Sequence, residues 1–191
     1  MSEARRRRVR GSQLLTDAAT ILDSTPDLAE ASQATRPSFA SGAEWMRAAL
    51  GTLRAEPPGG SVAFNTIGCV KYSAAAVAAA IPLAVAVVTR SAWPLVLVVP
   101  AFYAAEVQSV FAFPAALDGA ARPIATSRSI VRSSGGTIRS VGIVVPIAAY
   151  MLGGGFFGRG FRRSWCVGCL AVLLWYEAWR PVGAEVPREP A

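Results

Sequence analysis

Hydropathy divides the chain into a polar first third and an apolar remainder. From Tyr72 to Thr89 runs a stretch of 18 residues without a charge, rich in alanine and with Pro82 in its outer half. About 20 apolar residues cross a bilayer and about 17 is the lower limit, so this run predicts a transmembrane helix. Ala74 and Ala78, like Ala76 and Ala80, stand four apart. Small side chains at that spacing let helix backbones approach closely. A tight tip at Thr89–Arg90–Ser91 leads into a second apolar run, 92–113, with one charge, Glu106, and one amide, Gln108. A third run, 141–157, has 17 residues and ends near Gly153, Gly154 and Gly155. A fourth, 165–178, has only 14. At about 1.5 Å per residue it reaches about 21 Å, against a hydrocarbon core of about 30 Å. It spans only if the bilayer thins around it, and otherwise dips in halfway. Trp165 at one end, with Trp175, Tyr176 and Trp179 at the other, resembles an interfacial aromatic belt.

The pattern predicts an all-α, polytopic membrane protein with four transmembrane helices arranged as two hairpins. A basic loop from Pro114 to Arg139 joins the hairpins, with Gly135 and Gly136 at its flexible centre. Each hairpin tip sets Arg-Ser beside a tryptophan (Arg90-Ser91-Ala92-Trp93 and Arg163-Ser164-Trp165), a match too short to establish duplication.

Residues 1–60 read as a basic, partly disordered cytoplasmic arm with amphipathic helices. Arg5, Arg6, Arg7, Arg8 and Arg10 repel one another, and no apolar core follows them, so they form no secretory signal. They stay solvated and orient the chain, or they contact anionic head groups at about 1 kcal/mol per arginine. Leu14, Leu15, Ala18, Ala19, Ile21 and Leu22 recur at helical spacing after Ser12, a candidate N-cap. Residues 24–41, with Pro26 and Pro37, read as linker. A second amphipathic stretch, 44–53, either lies flat with Trp45 at head-group level or packs on the other arm helix. Pro57, Pro58, Gly59 and Gly60 mark the boundary between arm and membrane domain, 61–180. The tail, 181–191, rich in proline and charge, reads as disordered.

Composition narrows the chemistry. The chain is 53% hydrophobic and 16% charged with net charge +7. Soluble domains carry about 25% charged residues. The basic excess is almost all arginine and suits a membrane protein's cytoplasmic side better than nucleic acid, which is not an expected partner. There is no histidine, which removes histidine-ligated metal sites and Ser-His or Cys-His catalysis. Lys71, the only lysine, is followed by Tyr72, so there is no Walker A loop. No cofactor, metal site or catalytic set is expected.

Glu106 is the most informative single residue. It is the only acid between Glu56 and Asp118, and Tyr103, Glu106 and Ser109 share one helix face. A carboxylate inside a span usually faces a bundle interior or a watery cavity. Three readings stay open: a proton or cation site, a structural hydrogen bond to a neighbouring helix, or reach to a loop arginine. Arg122, Arg128, Arg132 and Arg139 either hold lipid head groups or only enforce orientation. Cys166-x-x-Cys169 begins the fourth run, where small cysteines in a helix explain the pair better than redox chemistry. Gly153 to Gly158 matches Gly-x-Gly-x-x-Gly by letter, but it ends an apolar helix instead of following a strand. Gly154 and Gly158 read instead as a close-packing face or a helix end.

These features predict a structural, assembly or accessory subunit that packs through helix faces against the bilayer and a second membrane protein or another copy. The alternative is a small membrane enzyme or transporter acting on a lipid or ion through Glu106. The N-terminus, the Pro114–Arg139 loop and the C-terminus are expected on the cytoplasmic side. Arg54, Lys71, Arg122, Arg128, Arg132, Arg139, Arg180 and Arg188 would lie there, against Arg90, Arg159, Arg162 and Arg163 opposite. The arginines of the second tip conflict with this orientation.

Overall fold

The computed structural model describes residues 10–34, 38–54, 56–60, 63–156, 158 and 160–180. The Arg5–Arg8 run and the tail from Pro181 lie outside the described residues. Helices α1 (Gly11–Ser24), α2 (Pro26–Ala34) and α3 (Phe39–Arg54) form the first third. Helix α4 (Phe64–Thr89) is followed by a rod of four short helices in line: a 3-10 turn (Trp93–Leu97), α5 (Val98–Glu106), a second 3-10 turn (Val107–Ser109) and α6 (Ala112–Leu117). Then come α7 (Pro123–Ser133), α8 (Gly136–Gly153) and α9 (Phe161–Trp179). Among the described residues there is no strand.

Among the described residues, three elements are long and apolar enough to cross a membrane: Phe64–Thr89, Trp93–Leu117 and Gly136–Gly153. The first begins at Phe64, well before Tyr72, so Lys71 lies within the helix and not at its mouth. The extra turns form because Phe64 and Ile67 bury, and Phe64 stacks on Phe113 with ring centroids 6.4 Å apart. Gly68 sits under the Phe39 ring, where any Cβ would overlap it. The α4 helix and the rod pack antiparallel around the tip, where Arg90 takes a left-handed conformation (φ 49°). Toward the tip, Val77, Ile81, Leu83, Val88, Val96 and Val99 are all exposed. The hairpin therefore projects as an apolar shaft from a compact base.

The rod owes its irregularity to Pro94, Pro100 and Pro114. A proline removes one intrahelical hydrogen bond and crowds the carbonyl four residues back. At the break below Glu106, the Phe111 N–H instead donates to Ser127 Oγ at 3.0 Å. A buried backbone donor thus gains the partner it requires.

The fourth apolar run is a full helix of 19 residues, but it is the core of the base. Val167, Leu170, Ala171, Leu173 and Trp175 are fully buried, and α1, α2, α3 and α8 pack around them. A helix apolar on all sides is one that is covered on all sides, by lipid or by protein, and here the arm supplies the cover. Leu14, Ala18 and Leu22 of α1 face inward while Ser12, Gln13, Thr16, Asp17 and Thr20 are exposed.

Three sequence expectations are corrected. Residues 24–41 are not all linker: α2 starts at Pro26, a first helical position where the missing N–H costs nothing, and Leu28 buries. The interval from Pro114 to Arg139 is not a loop. It completes α6, builds α7 with Ser127, Ile130 and Val131 buried, and begins α8 after a turn at Gly135 with φ 114°. Ser12 is not an N-cap, because α1 already starts at Gly11 after Arg10. Trp45 is buried and donates from Nε1 to the Leu28 carbonyl at 3.1 Å, so α3 packs on the arm helix α2.

Candidate functional site: an apolar cavity with a buried ion pair

Where the hairpin enters the base, α3, α4, the rod, α8 and α9 enclose a cavity of about 340 Å³. Its walls are apolar, built from such side chains as Phe39, Met46, Phe102, Ile147, Leu152 and Val172. Two charged residues interrupt them. Lys71 Nζ lies 2.6 Å from Glu106 Oε1, with side-chain exposures of 7% and 11%. The ammonium also stands 5.1 Å from the Tyr72 ring centroid and 5.9 Å from that of Phe113, the geometry of a cation held over aromatic faces. Glu106 Oε2 is buried and accepts no hydrogen bond from the described residues.

Chain geometry explains why these two meet. Lys71 precedes the tip residue Arg90 by 19 residues and Glu106 follows it by 16, so the antiparallel pairing brings them to similar height. Each alone would be a costly buried charge. Together they are neutral, and a buried pair tolerates burial only when geometry is close and the remaining valences are filled. Here one valence is left open.

Tyr103 and Glu106 both line the cavity. Ser109 does not. Its buried hydroxyl donates to the Glu106 backbone carbonyl at 3.1 Å, closing a local turn. Gln108 points elsewhere and donates to Thr137 Oγ1 at 2.8 Å. Glu106 reaches no loop arginine, because Lys71 occupies it. Arg122, Arg128 and Arg132 are exposed at the start and along one side of α7, and Arg139 lies half-buried in the first turns of α8. None of the four borders the cavity. Cys169 lines it and Cys166 is buried one turn away, while Cys69 is exposed on α4. No cluster of three metal-binding side chains occurs among the described residues. Gly154 packs on Ser164 beyond the end of α8, a helix-end contact and not a dinucleotide loop.

No known family, no curated protein and no solved structure matches the chain.

A second polar cluster closes the base at the opposite end of α9. The Arg54 guanidinium grips Asp118 through two bonds, 2.5 and 3.1 Å, and also binds Glu177. Tyr176 Oη donates to Asp118 at 2.9 Å, and Arg180 Nε lies 3.0 Å from Glu177. Burial alone would lower the Arg54 pKa, but the hydrogen bonds and charges of Asp118 and Glu177 outweigh it and raise it above the ordinary arginine value. Burial, reinforced by the Asp118 charge, raises the Tyr176 phenol as well. Arg54 is thus fixed as a cation that ties α3, the end of α6 and α9 together.

The sequence pointed to Glu106 and Tyr103 but missed Lys71. The signal was present: one lysine and one intramembrane acid in adjacent apolar runs, nearly equidistant from a hairpin tip.

Proposed function

We propose that the protein is a membrane-anchored binding protein that holds an amphiphile in the cavity at the foot of its hairpin. The observation that carries this is the cavity's make-up. It is apolar, of ligand size, and carries only a few polar groups, the Lys71–Glu106 pair with Ser38, Tyr72 and Tyr103, which is the usual composition of a small-molecule site. Binding is favoured over catalysis because the pair is a matched ion pair, and no histidine or metal-binding cluster stands beside it.

Only the α4–rod hairpin crosses the bilayer in this reading. From Lys71 to Arg90 the helix rises about 28 Å at about 1.5 Å per residue, close to the hydrocarbon thickness of about 30 Å. The packing of α1 argues against a crossing by the third apolar helix, α8. Gly11 of α1 packs on the Ile143 carbonyl midway along α8, and Asp23 pairs with Arg163 at 2.7 Å. Were α8 to cross, Ser12, Gln13, Thr16 and Asp17 would face hydrocarbon, and Arg10 would lie near the midplane. A single arginine there costs about 2.5–3.5 kcal/mol on insertion scales. With α8 and α9 in the cytoplasmic head, Arg159, Arg162 and Arg163 join the other basic residues, and Arg90 alone lies opposite. That removes the conflict at the second tip. The exposed apolar residues Leu152, Phe156, Phe161 and Trp165 then rest against the membrane surface beside the cavity.

Native mass spectrometry of the full chain released from mild detergent tests the reading. A bound amphiphile near one per chain is expected, and it should be lost from Ala148→Phe, which fills the cavity. A stoichiometric protein partner with no amphiphile would overturn it in favour of an assembly subunit.

A further inference from the structure

We infer that the ligand is a neutral, single-chain amphiphile whose head donates a hydrogen bond, a long-chain alcohol in chemical class, with its hydroxyl on Glu106 Oε2. The inference rests on the binding reading above and specifies the ligand's head. Glu106 is 8% exposed and lines the cavity, and its covered Oε2 has no donor among the described residues, so a head group binds it once the carboxylate turns toward the cavity. A buried acceptor left unmatched is costly, more so when charged, so the site favours a ligand that brings a donor. A hydroxyl brings one.

Charge decides among donors and against acceptors. Lys71 and Glu106 already cancel, and Tyr72 and Phe113 cover the ammonium. A carboxylate or doubly ionised phosphate head carries no donor, and either would set its negative charge against a carboxylate oxygen. An ammonium head has donors but would leave a net positive charge in an apolar chamber, which burial disfavours. A neutral hydroxyl satisfies Oε2 without changing the charge of the site.

Size decides the tail. The 340 Å³ of space, at about 30 Å³ for each water-sized group, holds roughly eleven heavy atoms, hence one hydroxyl and a single chain of about ten carbons. A longer chain can extend through the mouth toward the bilayer.

The test uses the full chain in phosphatidylcholine vesicles and three photoactivatable probes. All share a ten-carbon chain bearing a diazirine and differ only in the head: hydroxyl, phosphate or primary ammonium. Crosslinked sites are mapped by peptide mass spectrometry. The hydroxyl probe should label Val144–Leu152 saturably, several-fold above the other two, and excess 1-decanol should displace it. In the double variant Lys71→Met with Glu106→Leu, labelling by the chain should persist while the preference among heads disappears. Equal labelling by all heads, a preference for phosphate or ammonium, or a preference that survives the double variant would overturn the head assignment and leave the cavity reading standing. Labelling confined to the shaft at Val77–Val99, by every probe, would overturn the cavity reading itself. Circular dichroism melts of each variant establish that the fold is retained.

Discussion

Replacing Lys71 by methionine strands a carboxylate that is almost wholly buried. Side-chain exposures of 7% and 11% and a separation of 2.6 Å place the Lys71–Glu106 pair among desolvated bridges, not surface ones. Breaking such a bridge from one side costs about 3–5 kcal/mol, because the remaining charge is left without compensation. The destabilisation of Lys71→Met is therefore expected at about 3–5 kcal/mol. Adding Glu106→Leu removes the charge altogether and should restore most of the loss, since apolar replacements of a whole buried pair are often neutral or better. The assay is reversible denaturation of the protein in nanodiscs at pH 7, followed by far-ultraviolet circular dichroism. A Lys71→Met variant as stable as the parent at pH 7, or a double variant worse than either single one, would refute the placement of a desolvated pair at the cavity.

Arg54→Ala is expected to destabilise the base by about 2 kcal/mol, between the ranges for exposed and buried bridges, because Asp118 and Glu177 are partly exposed. Arg54→Lys should recover only part of it, since an ammonium cannot reproduce the forked grip, and denaturation of both variants measures the difference. Cysteine labelling from outside intact cells should modify Ser91→Cys but neither Ser133→Cys nor Phe156→Cys. Labelling of Phe156→Cys would show that α8 crosses and would sink the two-pass topology.

The apolar runs were legible because membrane-scale hydrophobicity is a strong local signal, and the three longest correspond to helices fit to cross a bilayer. What they did not reveal is which of them meets lipid. Residues 165–178 and 141–157 look alike in hydropathy to spans, yet α9 is covered by α1, α2, α3 and α8. The information that separates the cases lies in the arm, in the apolar stripe Leu14–Ala18–Leu22, which has to cover something. A stripe that short gives no address. Helix α7 was missed for a related reason. Its buried side consists of Ser127, Ile130 and Val131 amid arginines and serines, too little apolar content to outweigh a loop-like composition, and tertiary packing supplies the rest.

The site was half legible because a carboxylate in an apolar run is conspicuous and a lysine at its edge is not. Lys71 looked like an interfacial anchor only while the helix was taken to begin after it. Once Phe64 and Ile67 extend the helix back into the base, the lysine falls inside a packed interface and requires an acid. Hairpin register supplies one. The two residues count 19 and 16 positions from Arg90, a mismatch of about 4.5 Å at about 1.5 Å per residue. The reach of a lysine side chain and the rod's 3-10 turn at Trp93–Leu97, which rises more per residue than an α-helix, absorb it. The same register that neutralises both charges leaves Oε2 of Glu106 without a donor among the described residues. Stability alone would be served as well by two apolar residues here. A half-satisfied pair beside an apolar cavity is the arrangement that the proposed ligand would complete.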